Sequence, residues 1–325
     1  MKSARLRLIA AFTALAAAAA VVSACRENMI PELEPPVIDG ELALRYAQEN
    51  YDLGPKVYRT EGALKSAEWI RKQAIEMPGL LESGGQVRIL GTGAIRNVEI
   101  MIPPSVRNSS QRTDGDFIIV GAHHDTKRIF SVPDFAGAND GASGVGALLA
   151  MARACVGYMQ THNLPCTIRF VFFDGEEALY RYTDTDGLVG SRDYVDGLRR
   201  DGVLERCRAM ILLDMIGDRD LHIELAGNST SALAKTVIAA AEAAGYADKF
   251  SCGRTDMLDD HCPFLQAKIP AVDLIDFSYG PKNSYWHTEA DTMDKISAES
   301  IKTAADVALR TVWQLAETGF KDLPK

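Results

Sequence analysis

Two adjacent acids follow a long apolar run in the middle of the chain. The segment Thr167–Phe173 consists mainly of β-branched and aromatic residues, and Glu176 and Glu177 come shortly after it. Such a run is typical of a central parallel strand that helices cover on both faces. In open α/β sheets, ligands lie beyond the carboxyl ends of these strands. Because neighbouring carboxylates repel each other unless their roles differ, the pair predicts a metal ligand beside a general base.

Two further apolar runs end in side chains that bind metals. Residues 116–123 end in His123, with Asp125 two positions later, and residues 209–214 end in Asp214. One acid after one strand is commonly a loop residue or a helix cap. Three such strands in one chain instead favour a shared site.

A glycine-rich loop at residues 137–144 contains Asp140 and leads into a helical pattern. The loop lacks the lysine and the glycine spacing of a phosphate-binding loop. Its glycines would let the backbone pass close to an ion, although Asp140 could equally cap the helix.

The candidate ligands form a set of nitrogen and oxygen donors. The set is His123, Asp140, Glu177, Asp214 and His287. It suits zinc, bound either as one ion or as a pair that shares a carboxylate. No Cys-x-x-Cys spacing suggests a thiolate site.

The segments between these motifs alternate between helix and strand patterns. Helical spacing is found at residues 40–50, 62–77, 231–244 and 297–317, and alternating strands at 86–90 and 97–102. We expect a three-layer, doubly wound α/β fold with a mixed, mainly parallel sheet and helices on both faces. No repeat or internal linker interrupts the alternation, so residues 39–325 are predicted to form one catalytic domain.

The amino terminus has the pattern of an export signal. Positive residues and an alanine-rich apolar stretch precede Cys25, so residues 1–25 are predicted to be a signal peptide. Val22 to Cys25 resembles a bacterial lipobox, which implies a lipid on Cys25, whereas cleavage after Ala24 would give a soluble secreted protein. Residues 26–38 then form a proline-rich tether. We expect an exported lipoprotein in the periplasm or at the outer membrane, touching membrane only through this lipid.

Charge and cysteine content narrow the expectations further. The 325-residue chain carries a net charge of −9, which offers no electrostatic footprint for nucleic acid.

Past Cys25 there are five cysteines, and export permits disulfides. The odd number leaves at least one unpaired, and the first pairs to test are Cys155 with Cys166 and Cys252 with Cys262.

The order of these motifs resembles that of the zinc exopeptidases with an aminopeptidase-like fold, which include the animal-type glutaminyl-peptide cyclotransferases. The resemblance runs from about Leu42 to the carboxyl terminus. It implies that the five ligands named above hold two zinc ions in the aminopeptidases, with Asp140 bridging. It also implies that Glu176 is the general acid and base and that Asp125 orients His123.

The cyclotransferases are the closer likeness within that family. The likeness rests on five sequence motifs, at residues 172–178, 187–192, 212–217, 259–264 and 286–288. In those enzymes only the positions of Asp140, Glu177 and His287 hold zinc, so one ion is implied. The residues at the positions of Asp214 and Asp259 join a hydrogen-bond network with the catalytic glutamate. The resemblance also implies that Trp286 lines the substrate pocket.

Two positions depart from the cyclotransferase pattern. Tyr182 stands where the animal enzymes have a pocket tryptophan, and Asp273 stands where they have a histidine. The disulfide beside the His-x-Asp strand is also missing, since Ala122 precedes His123. A tyrosine can still form a pocket wall, provided that its hydroxyl finds a partner.

Three functions follow from this resemblance. The first is a cyclotransferase that converts amino-terminal glutamine of peptides or proteins to pyroglutamate. The second is a two-zinc aminopeptidase, in which Glu176 is the base for hydrolysis. The third, a binding protein built on an inactive enzyme, requires a lost ligand or a lost Glu176, and none is lost.

Overall fold

The computed structural model describes residues 34–104 and 115–323. The predicted signal peptide, Cys25 and most of the predicted tether lie outside the described residues. Ile38, at the end of the tether, is buried, and the chain from Pro35 onward forms one compact unit. Within the described ranges, every helix is too short or too polar to cross a bilayer.

Helices and strands alternate along the chain, as the sequence patterns predict. The strands are β1 (Gln86–Leu90), β2 (Asn97–Ile102), β3 (Phe117–His123), β4 (Thr167–Phe173), β5 (Cys207–Asp214), β6 (Ile223–Leu225), β7 (Phe250–Cys252) and β8 (Ala271–Ile275). The α-helices are α1 (Gly40–Tyr51), α2 (Glu61–Ile75), α3 (Gly144–Tyr158), α4 (Val189–Arg200), α5 (Ser231–Ala243), α6 (His261–Gln266) and α7 (Ala298–Glu317).

The described strands form one mixed sheet in the order β1-β2-β4-β3-β5-β8-β6-β7. The four central strands, β4, β3, β5 and β8, pair in parallel. Antiparallel pairs join β1 to β2, β2 to β4 and β6 to β8. The predicted fold class, a mainly parallel mixed sheet, is confirmed.

Side chains of the central strands supply two hydrophobic cores, one on each face of the sheet. In β3, Ile118 and Val120 pack into the larger core, and Phe117 and Ile119 pack into the smaller one. The larger core also takes residues of α1, α3, α5 and α7, whereas α4 and α6 cover the smaller one. Burial on both faces explains why these strands lack polar alternation.

Two short elements were not expected from the sequence. They are the edge strand β7 and the helix α6. Three residues of strand or six of helix are too few to establish a hydrophobic period.

The suggested cysteine pairs are not disulfides, because all five described cysteines are free thiols. Cys155 and Cys166 are fully buried in the larger core, where a thiol packs as a small apolar group. Cys252 is exposed, whereas the thiol of Cys262 is buried and donates to the carbonyl oxygen of Met257 at 3.3 Å.

Candidate metal centre and active site

Three neighbouring parallel strands bring four of the predicted residues to one edge of the sheet. His123 is the last residue of β3 and Asp214 is the last residue of β5, while Glu176 and Glu177 follow β4. Because β4, β3 and β5 lie side by side and run in parallel, these residues converge. His123 Nε2 lies 3.2 Å from Asp214 Oδ1.

Asp140 comes from a distorted turn in front of α3. Gly137 has a φ of 59°, and a Cβ there would come within 2.0 Å of the carbonyl oxygen of Asp140. Glycine is therefore required at this position. Asp140 itself has φ −81° and ψ 88° inside a π-helical turn, Ala138–Ser143, and its side chain caps neither this turn nor α3. Its carboxylate is thus free to face the site.

Asp291 fixes the backbone of this turn. Its two carboxylate oxygens accept the N–H groups of Asn139 at 2.8 Å and of Asp140 at 3.2 Å. The hydroxyl of Tyr279 donates to the same carboxylate at 2.8 Å. A buried acid far away in the sequence therefore sets the position of Asp140.

His287 lies across the site from the strands. Its Nε2 is 2.8 Å from Glu177 Oε1 and 3.0 Å from Asp140 Oδ2. The ring stacks on Trp286, with centroids 4.0 Å apart. Burial lowers the pKa of His287, but the nearby carboxylates of Asp140 and Glu177 outweigh burial and raise it to about 9. The two carboxylates thus favour positive charge at this point.

Two groups of ligand atoms meet at Asp140. Asp140, Glu177 and His287 form one group, and His123, Asp140 and Asp214 form the other, with all ligand atoms of a group within 4.8 Å of one another. Asp140 Oδ1 faces His123 Nε2 at 3.3 Å, while Oδ2 faces His287.

The shared carboxylate offers a direct test of whether a cation fits. Asp140 Oδ2 is buried and, despite the short contact with His287, has no partner in hydrogen-bond geometry. A buried acceptor left without a donor is costly, and a cation between the groups would satisfy it. Imidazole and carboxylate donors in this number fit zinc.

Glu176 has surroundings unlike those of its neighbour Glu177. Its side chain is buried, and burial followed by the charge of Glu177 raises its pKa well above the usual value. The hydroxyl of Tyr182 donates to its carboxylate, at 3.1 Å from Oε1 and 3.3 Å from Oε2. A carboxyl group with a raised pKa beside a candidate metal site suits proton transfer.

Asp125 supports the acid pair more directly than it supports His123. Its carboxylate accepts the N–H groups of Glu176 at 3.1 Å and Glu177 at 3.2 Å. The Nδ1 atom of His123 is 3.2 Å from the carbonyl oxygen of Asp125 and 3.7 Å from its carboxylate. Both contacts are compatible with the predicted orienting role.

Asp259 and Asp273 lie in a buried acidic region next to the site. The pKa of Asp259 is raised well above its usual value by burial and then by the charges of Asp273, Asp214 and Glu176. Asp273 is fully buried, and neither of its carboxylate oxygens has a hydrogen-bond partner among the described residues. Its neighbour His261 approaches only to 3.9 Å.

The two predicted pocket residues are aromatic neighbours of the ligands. Trp286 packs against His287 and, at 4.9 Å between centroids, against Phe277. Tyr182 is 37% exposed, and its hydroxyl lies 3.3 Å from Glu177 Oε2 as well as close to Glu176.

Three residues of this region were missed by sequence reasoning: Lys56, Lys127 and Asp291. Lys127 forms an ion pair with Glu177 at 2.9 Å. Lys56 is fully buried and donates to the carbonyl oxygens of Ala136 at 2.7 Å and Gly54 at 3.2 Å, and burial lowers its pKa to about 7. Lys127 could have been suspected, because it lies two positions after Asp125, but Lys56 and Asp291 carry no local signal.

Comparison with known proteins identifies one family. Residues 105–312 match the model of peptidase family M28. Aminopeptidase YwaD of Bacillus subtilis is 30% identical over 206 residues, which are 61% of this chain and 41% of that protein. The glutaminyl-peptide cyclotransferase of Boiga irregularis is 25% identical over 221 residues, 58% of this chain and 59% of that protein.

Among solved structures, the glutaminyl cyclase of an Acidobacteriales bacterium is similar, with a TM-score of 0.75 and 29% identity. The match covers 88% of this chain and 97% of that one. By contrast, the chain spans only 41% and 59% of the two curated relatives. Both the aminopeptidase and the cyclotransferase activities therefore occur among similar proteins.

Proposed function

The chain belongs to peptidase family M28, and from this membership we propose that it is a zinc-dependent enzyme acting on the amino-terminal residue of peptides or proteins. Its reaction is the conversion of amino-terminal glutamine to pyroglutamate with release of ammonia. The observation that carries the proposal is the buried carboxyl of Glu176 beside the group of Asp140, Glu177 and His287. The similarity to a glutaminyl cyclase along 97% of its length supports cyclisation.

Asp140, Glu177 and His287 would hold the zinc ion in this reaction. The chemistry that zinc supplies when bound is Lewis acidity toward the γ-carbonyl oxygen of the glutamine. Lys127 pairs with Glu177, and Asp125 holds the backbone of both glutamates, so the ligand Glu177 is fixed from two sides.

Glu176 moves the proton. It accepts a proton from the α-amine as the amine nitrogen bonds to the carbonyl carbon of the side-chain amide, Cδ, and closes the five-membered ring. It then returns this proton to the amide nitrogen, which leaves as ammonia when its bond to carbon breaks. The raised pKa of Glu176 suits both steps, because a carboxylate that holds a proton more firmly is a better base for the amine proton and can still return it to the leaving nitrogen.

The aromatic walls would orient the substrate and keep water away. Trp286 and Tyr182 flank the ligands, and ring closure needs no water molecule. Holding amine and carbonyl in contact therefore supplies a large part of the rate enhancement.

A second function, a two-zinc aminopeptidase, is favoured by one specific observation. The second group of ligands, His123, Asp140 and Asp214, is also assembled, and Asp140 offers one carboxylate oxygen to each group. In that enzyme Glu176 would be the base that activates the attacking water.

The deciding experiment uses purified protein on two peptides that differ only in an amino-terminal glutamine or leucine. Ring closure is followed by mass and by released ammonia, and cleavage is followed by released leucine. We expect cyclisation above the spontaneous rate and no release of leucine. Release of leucine without cyclisation would identify an aminopeptidase, and turnover of neither peptide would contradict both functions.

Metal analysis of the same samples separates the two forms of the site. We expect one zinc per chain for the cyclotransferase and two for the aminopeptidase. A chelator should abolish turnover, and added zinc should restore it.

A further inference from the structure

We infer that the hydroxyl of Tyr182 positions the carboxylate of Glu176 for proton transfer, an inference that rests on the proposed role of Glu176. The hydroxyl lies 3.1 Å and 3.3 Å from the two oxygens of Glu176 and 3.3 Å from Glu177 Oε2. It therefore lies between the two adjacent carboxylates. A pocket wall alone would need only the aromatic ring.

Among the described residues, the hydroxyl of Tyr182 is the side-chain group that donates a hydrogen bond to the carboxylate of Glu176. The charges that act on Glu176 are the acids Glu177, Asp260 and Asp125, together with the imidazole of His123, which forms no hydrogen bond to Glu176. A carboxylate among other carboxylates turns toward the nearest donor, so this hydroxyl decides which way Glu176 faces.

The loop that carries Tyr182 is held firmly. The carboxylate of Asp186 accepts the backbone N–H groups of Leu179 at 2.6 Å, Tyr180 at 3.0 Å and Arg181 at 3.2 Å. Thr183 pairs with Asp186 through an N–H to carbonyl bond of 2.8 Å. A loop tied in this way presents its side chains in fixed positions.

The ring of Tyr182 is also packed in place. A Cβ on Gly187 would come within 2.4 Å of the ring, so the bare backbone of this glycine lets the ring lie close. The ring also contacts Lys127, whose Nζ lies 5.0 Å from the ring centroid. The same Nζ forms an ion pair with Glu177 at 2.9 Å, which holds it against the ring. The hydroxyl is therefore oriented before any substrate binds.

This position is one of the two at which the sequence departs from the cyclotransferase pattern. A tryptophan offers no hydroxyl, and its indole N–H is placed differently on the ring. The chain thus combines the apolar wall of the pocket with a donor aimed at Glu176.

The test compares Tyr182→Phe with Tyr180→Phe, which removes a hydroxyl from the same loop at a residue that is 79% exposed. A hydrogen bond to a charged group corresponds to a loss of about 10- to 100-fold. We expect Tyr182→Phe to lower kcat by that factor with KM within about twofold of wild type. Zinc affinity, measured by competition with a chelator, and Tm should stay at wild-type values. Tyr180→Phe should match wild type in all four measurements.

Other outcomes would overturn the inference. A wild-type kcat in Tyr182→Phe, or a raised KM with kcat unchanged, would mean that Tyr182 only lines the pocket and that its hydroxyl does not position Glu176. Loss of zinc affinity in that variant would mean that the hydroxyl acts on Glu177 instead. A Tyr182→Trp variant with full kcat would show that the hydroxyl is not needed. Wild-type protein that turns over neither peptide would remove the proposed function itself, and this inference with it.

Discussion

Glu176 and Glu177 are neighbours in sequence, yet their side chains meet different partners. Glu177 faces the imidazole of His287 at 2.8 Å and the ammonium of Lys127 at 2.9 Å. Among the side chains of residues 34–104 and 115–323, Tyr182 alone donates a hydrogen bond to Glu176, which is buried beside the acids Glu177, Asp260 and Asp125 and near His123. Partners that carry a nitrogen leave Glu177 in position to bind a metal, whereas burial beside acids raises the pKa of Glu176 and suits it to bind and release a proton.

Isosteric substitution should separate these two roles. Glu176→Gln should keep zinc but lower kcat about 100-fold or more, because an amide cannot accept and return the proton. Glu177→Gln should lose zinc affinity and activity together. Metal analysis and turnover of the glutamine peptide are measured on both variants. Full turnover in Glu176→Gln would mean that another group is the base.

At the scale of elements, the turn before α3 is the part of the fold most specialised for the site. Gly137 starts it with a left-handed backbone, and Asp291 holds the N–H groups of Asn139 and Asp140. The turn before α3 therefore fixes the position of the Asp140 carboxylate in the site.

Gly137→Ala should therefore damage the metal site. A methyl group would meet the carbonyl oxygen of Asp140 at 2.0 Å, so the turn must shift and Asp140 with it. We expect zinc affinity to fall at least tenfold and the free energy of unfolding to fall by about 1 to 3 kcal/mol. The matched control is Gly157→Ala in α3, where a Cβ meets nothing within 4 Å. That change should leave zinc affinity unaltered and be neutral or stabilising by up to about 1 kcal/mol. Equal zinc affinity in both variants would contradict the proposed strain.

At the scale of the whole molecule, a buried histidine links the sheet to the helices beside it. His124 Nε2 donates to the carbonyl oxygen of Arg96 at 3.0 Å, and Nδ1 accepts from Ser66 of α2 at 3.2 Å. The hydroxyl of Ser66 in turn accepts from Asn50 of α1 at 3.1 Å. This chain of donors and acceptors requires a neutral imidazole.

Stability should fall in acid because of this histidine. Burial lowers the pKa of His124 to about 4, against 6.5 for an exposed histidine. Between these values the unfolded chain binds a proton that the folded chain does not, so stability is lost as the pH falls from about 6.5 to 4. The full contribution is on the order of 3 kcal/mol.

The measurement is urea unfolding of wild type and His124→Gln at several pH values from neutral to acid. The glutamine amide can also donate and accept, but it does not titrate. We expect the wild type to lose stability relative to the variant as the pH falls through this window. Parallel pH profiles would contradict the assignment.

Much of the architecture could be predicted from local sequence. The apolar runs of β3, β4 and β5 report burial on both faces, and residues that follow such strands must reach the same edge of the sheet. For this reason the ligands converge as the sequence indicates, and the structure brings together His123, Asp140, Glu177, Asp214 and His287.

Only the tertiary structure decided which groups surround those ligands. Asp291 reaches Asp140 across about half of the chain, Lys56 enters from the segment before α2, and the hydroxyl of Tyr182 turns back onto Glu176. The periodicity of a segment records whether its side chains are buried, because burial repeats with the helix or strand. The periodicity of a segment does not indicate which distant loop contacts it, because that contact depends on the path of every connection between the two segments. The sequence by itself therefore determined the sheet and the candidate ligands, and the packing of loops determined how each carboxylate is held.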